Sequence, residues 1–225
     1  MLALGRLQGV VELGGAVVAL LLGLSVIALA VILLKLADYA RLGVGRHAAI
    51  LAALDATDTG DTPLARTRLR ASRSYLAPVL LGALARDDRS DPDLRARFEA
   101  EASARLDRLE RKFRLLDNIA QVSPLLGLFG TVLGMIEAFR ALQEAGSSVD
   151  PSLLAGGIWV ALMTTAAGLA VAMPAALVLS WFESRVARER ALADLALNRL
   201  LCPLPPAMKV APVTPAPAAQ HAHAG

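Results

Sequence analysis

Two threonine-bearing stretches of this 225-residue sequence carry the residue types and spacing that suggest chemistry. In the first, Ala120, Pro124, Gly127, Thr131, Gly134 and Ala138 recur every three or four residues. In the second, Gly157, Ala161, Thr165, Gly168, Ala172 and Ala176 do the same, with Thr164 beside them. Each set falls on one face of a helix. Rows of small residues let two helix backbones approach closely in lipid, where van der Waals packing replaces the hydrophobic drive. A hydroxyl on such a face has two readings. It can bond back to a carbonyl of its own helix, or it can line a narrow polar path and meet a partner's polar group. Spacing leaves both open. Gly127, Gly130 and Gly134 are less telling, because glycine is common in membrane helices. Pro174 is tolerated there when neighbouring helices satisfy the carbonyl it frees, and it could equally mark a hinge.

The groups missing from these stretches matter as much. No Asp, Glu, Lys, Arg or His lies deep in any long apolar run; Glu12 and Glu137 sit at the borders. A proton relay needs a titratable group at depth, and threonine does not titrate usefully. This chain alone should therefore not complete a proton path, and a carboxylate must come from another subunit. No nucleophile–base pair, metal-ligand spacing or phosphate loop is present, which argues against an enzyme and against a metal or cofactor. Cys202 is the single cysteine, with no ligand spacing around it. His47 is isolated, and His221 and His223 belong to a low-complexity tail. Arg66, Arg68, Arg70 and Arg73 read as a solvated helix face near anionic lipid rather than as a nucleic-acid contact.

The elements that must position the threonines follow from charge distribution. The chain is 56% hydrophobic but only 4% aromatic, with 23 basic and 20 acidic residues. Those charges are absent from three long runs and dense between them, as in membrane chains. The expectation is an all-α integral membrane protein with three transmembrane helices and long cytoplasmic helical extensions. Residues 13–34 form the first transmembrane helix, since about 20 residues cross the hydrocarbon core. That run is too long for the core of a signal peptide. Residues 118–140 form the second and 151–182 the third. Between them lie a charged helical region at 35–117 and a polar connector at 141–150. Beyond them lie a charged helix at 183–202 and a Pro/Ala-rich disordered tail at 203–225.

Helix starts are expected at Thr62-Pro63, Asp91-Pro92 and Asp150-Pro151, each a cap followed by proline. Leu94, Phe98, Ala102, Leu106, Leu109, Phe113 and Leu116 make one buried stripe. With no turn signal before Pro124, a single long helix should rise from that stripe into the membrane. Arginine and lysine are concentrated after the first and third helices. The positive-inside rule thus places residues 1–12 and the 141–150 connector in the periplasm, and the middle and C-terminal segments in the cytoplasm.

The residues of the second and third helices resemble a known family. Pro124-Leu125-Leu126-Gly127-Leu128-Phe129-Gly130-Thr131-Val132-Leu133-Gly134-Met135-Ile136 with Phe139 is similar to the second-helix signature of ExbB and TolQ. Gly157-Ile158, Ala161-Leu162, Thr165, Gly168-Leu169 and Ala172-Met173-Pro174-Ala175 resemble the third-helix signature. The resemblance implies a bacterial inner-membrane homopentamer. Its second and third helices would surround a pore holding single-pass ExbD/TolR-like partners, each with an intramembrane aspartate. Proton flow would then drive a TonB- or TolA-like transducer. Thr131 and Thr165 fall on the family's two pore threonines. One departure is Val160, at the position where ExbB and TolQ usually carry a glutamate. The alternatives are a passive membrane scaffold and a relative of the MotA-type flagellar stator, the latter usually with four spans.

Overall fold

A computed structural model describes residues 2–86, 92–144 and 151–202. The described residues are helical and contain no strand. The helices are α1 (Leu2–Leu42), α2 (Ala48–Asp58), α3 (Thr62–Ala71), α4 (Ala77–Leu84), α5 (Pro92–Glu110), α6 (Phe113–Glu144) and α7 (Pro151–Leu201). Ala, Leu and Arg are frequent in them, residues that lose little freedom on entering a helix. Three helical stretches are long and apolar enough to cross a membrane: Gly15–Leu42, Pro92–Glu144 and Leu154–Leu201. The chain is thus an all-α membrane protein with three spanning helices that extend well past their apolar parts.

The described residues divide into two compact units. The first comprises those within Met1–Gly45 and Glu101–Leu192. Here α1 is interrupted at Gly15 (φ 61°, ψ −159°), a backbone conformation open essentially to glycine alone. From Val18 to Tyr39 its inner face buries Val18, Leu21, Ala28, Val31, Lys35 and Tyr39, while Leu20, Val26, Leu29 and Leu33 stay exposed. The late part of α7 buries Phe182, Val186 and Glu189 at steps of four and three, which keeps the helix amphipathic after its apolar run ends.

The expected unbroken helix into the second span is not observed. Instead α5 stops at Glu110 and α6 starts at Phe113. Lys112 sits between them in the left-handed region, with φ 74°. A residue in that conformation just past a helix end is a common stop, usually a glycine. No Gly, Asn or Pro marks the spot, so the sequence carries no local signal. The stop is held by a long-range contact: Lys35 Nζ donates to Leu109 O at 2.8 Å and lies 5.5 Å from the Phe113 ring centroid. Leu109 is in the last turn of α5, where carbonyls lack an intrahelical donor. Phe182 completes the packing, fully buried, edge-on to Tyr39 and stacked on Phe113 with centroids 5.2 and 5.9 Å away. Because L-residues disfavour left-handed backbone, Lys112→Gly should raise stability by roughly 0.5–1 kcal/mol, less the extra freedom glycine gives the unfolded chain. A thermal melt in detergent measures it, and a lowered midpoint would mean the lysine side chain matters more than the backbone.

The second unit comprises the described residues within Arg46–Ala100 and Ala193–Gly225. Ile50, Ala53, Leu54, Ala65, Leu69, Leu76, Leu80 and Ala83 form its core, all essentially inaccessible. The cap of α3 lies one residue earlier than the sequence suggests. Asp61, not Thr62, accepts from Leu64 N at 3.0 Å, and Thr62 is already inside the helix. A carboxylate is at least as good a cap acceptor as a hydroxyl, and Pro63 is accommodated in the first turn with either residue as the cap. Arg199 is held by Asp58 (Nε to Oδ2, 3.0 Å) and Asp55 (3.0 Å). Hydrogen bonding to Asp58, then to Asp55, keeps its guanidinium above the ordinary arginine value against the opposing cost of desolvation. The expected caps at Asp91 and Asp150, the heart of the polar connector and the tail at 203–225 lie outside the described residues.

Candidate functional site

The seam between α6 and α7 is built from the small residues of both helices. Serine, glycine and alanine at Ser123, Gly127, Gly130 and Ala138 are the buried edge of α6. On α7 the matching edge is Gly157, Ala161, Thr164, Thr165 and Gly168. Each glycine there has a neighbour where a side chain would go. A Cβ at Gly127 would lie 3.0 Å from Thr164 O and 3.1 Å from Thr165 Cα. One at Gly168 would lie 2.6 Å from Ser123 O and 3.0 Å from Gly127 Cα. One at Gly134 would meet Ala161 Cβ at 3.1 Å, and one at Gly157 would collide with Ala138. One at Gly130 would lie 2.7 Å from Thr164 Oγ1 and 3.1 Å from Val17 Cγ1. The backbones therefore touch without side chains between them, as helices in lipid do when small residues face each other.

The threonines divide between two environments. Thr164 is buried and donates to Ala161 O, 2.7 Å away on its own helix, with Gly127 O a second acceptor at 3.3 Å. Thr165 is half-buried and donates across the seam to Gly127 O at 3.2 Å. The structure thus converges two hydroxyls of α7 on one carbonyl of α6. Thr131 does not join them: its hydroxyl turns back to Leu128 O at 2.7 Å. Pro174 lies inside α7, which continues through it as one helix. Val160, also on α7, is half-buried and contributes no polar atom beyond its backbone. The opposite face of α6 stays outside the unit, with Leu125, Leu128, Val132, Ile136 and Phe139 each more than half exposed.

The spacing did not single out Ser123, which is wholly buried and donates to Ile119 O at 2.7 Å. It lies on the same stripe, four residues before Gly127, so a search for small hydroxyl residues would have found it. The contact line on α6 runs one position N-terminal to the expected row at two points, through Ser123 and Gly130 rather than Pro124 and Thr131. Lys35 and Glu189 were also missed. Glu189 is fully buried and accepts from Gly45 N at 2.8 Å. A charged residue within a charged segment carries no sequence sign that it is buried.

Chemically, the seam offers hydroxyls and a carbonyl but no group that can keep a proton. Residues 13–34, 118–136 and 151–182 hold no acid, base or histidine. Among the described residues, no group of three or more His, Cys, Asp or Glu could hold a metal. The arrangement can orient, bond and relay, but it needs a titratable group from elsewhere to move charge.

Comparison with known proteins fits this geometry. The model of the MotA/TolQ/ExbB proton channel family matches residues 57–194, more than half of the chain. The putative biopolymer transport protein ExbB-like 3 of Synechocystis is 30% identical over 181 residues, covering 80% of this chain and 86% of that protein. ExbB-like 1 of the same organism is 35% identical over 167 residues, 73% of this chain and 66% of its own length. The biopolymer transport protein exbB1 of Vibrio cholerae is 55% identical over 62 residues, 28% of this chain and 27% of that protein. The chain thus spans about a quarter of the Vibrio relative and just under two thirds of ExbB-like 1. On the strength of the family match and the ExbB-like relatives, this chain belongs to the MotA/TolQ/ExbB proton channel family.

Proposed function

We propose that this chain is the multi-pass subunit of an ExbB/TolQ-type complex driven by the proton gradient across a bacterial inner membrane. Several copies, five by family resemblance, surround single-pass ExbD/TolR-like partners that bring an intramembrane aspartate. This chain supplies the hydroxyl-bearing wall through Thr131, Thr164 and Thr165. The partner supplies the titrating group. The N-terminus and the connector between α6 and α7 face the periplasm, and the charged helical extensions face the cytoplasm. A TonB- or TolA-like transducer receives the work.

The observation that carries this reading is the convergence of Thr164 and Thr165 on Gly127 O within apolar runs that lack any acid of their own. Valine at position 160 leaves the middle of the seam without a carboxylate of this chain, Glu137 lying only at its border, so the partner's aspartate does the proton holding there. Two measurements test the proposal. Chain purified without partner and placed in liposomes should pass no more protons than empty vesicles, while the co-purified complex should conduct. Thr165→Val should leave assembly intact and reduce proton flux by tenfold or more, the scale of one lost interaction of about 1.4 kcal/mol in a transfer step. The rival reading is a passive scaffold, in which both hydroxyls only tie α7 to α6. It requires unchanged flux in Thr165→Val and Thr131→Val.

A further inference from the structure

The threonine row of α6 ends inward on a carboxylate. Asp117 lies three residues before Ala120, so it continues the row of Ala120, Pro124, Gly127 and Thr131 by one more turn. It is 14 residues from Thr131, about 21 Å along the helix and only about 40° around it. Glu137, the acid at the outer border, is turned about 120° from Thr131 and leaves the row. We propose that Asp117 is the group through which protons leave the path for the aqueous phase at the inner end of the second span. The inference rests on the function proposed above and adds a proton-transfer residue to it.

Depth and local bonding support this role. Gly127, on whose carbonyl Thr164 and Thr165 converge, is the midpoint of the uncharged stretch 118–136. Asp117 is ten residues further in, about 15 Å, which is half the thickness of a hydrocarbon core. A carboxylate at that depth meets water, while its row leads back to the hydroxyls. Asp117 is half-buried, and Gln121 Nε2 donates to its Oδ1 at 2.7 Å. Among the described residues nothing bonds Oδ2. Pro124 has no N–H, so the Ala120 carbonyl on the same row lacks its helix donor. Asp117, Gln121 and that carbonyl are thus neighbouring polar groups on one face, which water can bridge. From α7 no titratable side chain faces them. That helix meets α6 at Gly168 against Ser123 and at Phe182 against Phe113, and residues 169–181 between those contacts hold none. The flanking charges are Arg114, one turn before Asp117 on α6, and Lys35 of α1, beside Phe113. Among the described residues neither forms an ion pair with it. In the transfer, a proton carried by water along the row bonds to Oδ2 as its bond to that water breaks. It then passes to a buffer base or water of the aqueous phase, which restores the carboxylate.

The test uses the complex co-purified with its single-pass partner, in liposomes, with Hepes as a membrane-impermeant buffer on both sides. Asp117→Asn keeps the acceptor for Gln121 but cannot take the proton. At low Hepes its flux should fall about tenfold or more, with the thermal midpoint unchanged. Raising Hepes should restore that flux, because mobile buffer then does the transfer, whereas Thr165→Val should stay low at every buffer level. Asp117→Glu should conduct at low Hepes. Glu137→Gln, off the row, should conduct like the unsubstituted complex. If Asp117→Asn does not assemble, Asp117→Ser read in the same buffers decides the matter. Three results overturn the inference alone: full flux in Asp117→Asn at low Hepes, a loss that buffer does not relieve, or the same buffer-relieved loss in Glu137→Gln. An unsubstituted complex that does not conduct overturns the proposed function and this inference with it.

Discussion

Gly168→Leu should separate α6 from α7 and lower the unfolding midpoint more than any other single change along the seam. The physical reason is the distance from a Gly168 Cβ to Ser123 O, 2.6 Å, and to Gly127 Cα, 3.0 Å. Both neighbours are backbone, so no rotamer change relieves the clash. Even Gly168→Ala must push the helices apart by several tenths of an ångström. Overpacking of this kind costs about 1–3 kcal/mol, and leucine should exceed that range. Separation would also pull Thr165 Oγ1 away from Gly127 O, now 3.2 Å distant. Packing and the hydroxyl cluster should therefore fail together. Gly156→Ala is the control, because its Cβ would meet nothing within 4 Å. The measurement is a thermal melt in detergent, with normal membrane insertion checked first. A Gly168→Leu midpoint equal to that of Gly156→Ala would disprove backbone contact at the seam.

The second large effect is expected at Lys35, a side chain with only 3% of its surface exposed. Its ammonium donates to Leu109 O at 2.8 Å, where α5 ends, and faces the Phe113 ring from which α6 departs. Lys35→Met keeps the length and the apolar stem but removes the donor. Replacing both partners by apolar groups could be neutral, but here the carbonyl remains. Leaving a buried acceptor unsatisfied costs about 1–3 kcal/mol, and a charged donor sits at the upper end of that range. The loss should be local. Amide hydrogen exchange should rise around residues 109–114, while the seam amides near Gly127 keep their protection. Unchanged exchange at 109–114 in Lys35→Met would mean that Lys112 and the aromatic packing hold the break alone.

These two sites show where sequence reading reaches and where it stops. The spans are visible because excluding charge from about 20 consecutive residues is a bulk energetic requirement of the bilayer. The small-residue rows are visible because helical periodicity puts them on one face. Which edge of a row makes contact is not visible. Thr164 and Thr165 are adjacent in sequence and differ by 100° of rotation, and only the crossing of α6 and α7 places Thr164 in the buried line and Thr165 at its margin. Thr131 sits on the same row as Gly127, yet its hydroxyl bonds its own helix.

Composition and periodicity were enough to determine a three-span helical membrane protein, its small-residue faces and its lack of an intramembrane acid. Each of these is a property of single helices in lipid, and single helices are encoded locally. The tertiary structure decided which residues share the seam, where α5 breaks from α6, and that Lys35 and Glu189 lie buried. Those outcomes depend on pairs far apart in the chain, such as Lys35 with Leu109 and Gly45 with Glu189. A contact of that kind exists only once the helices have packed, so neither partner's local sequence announces it.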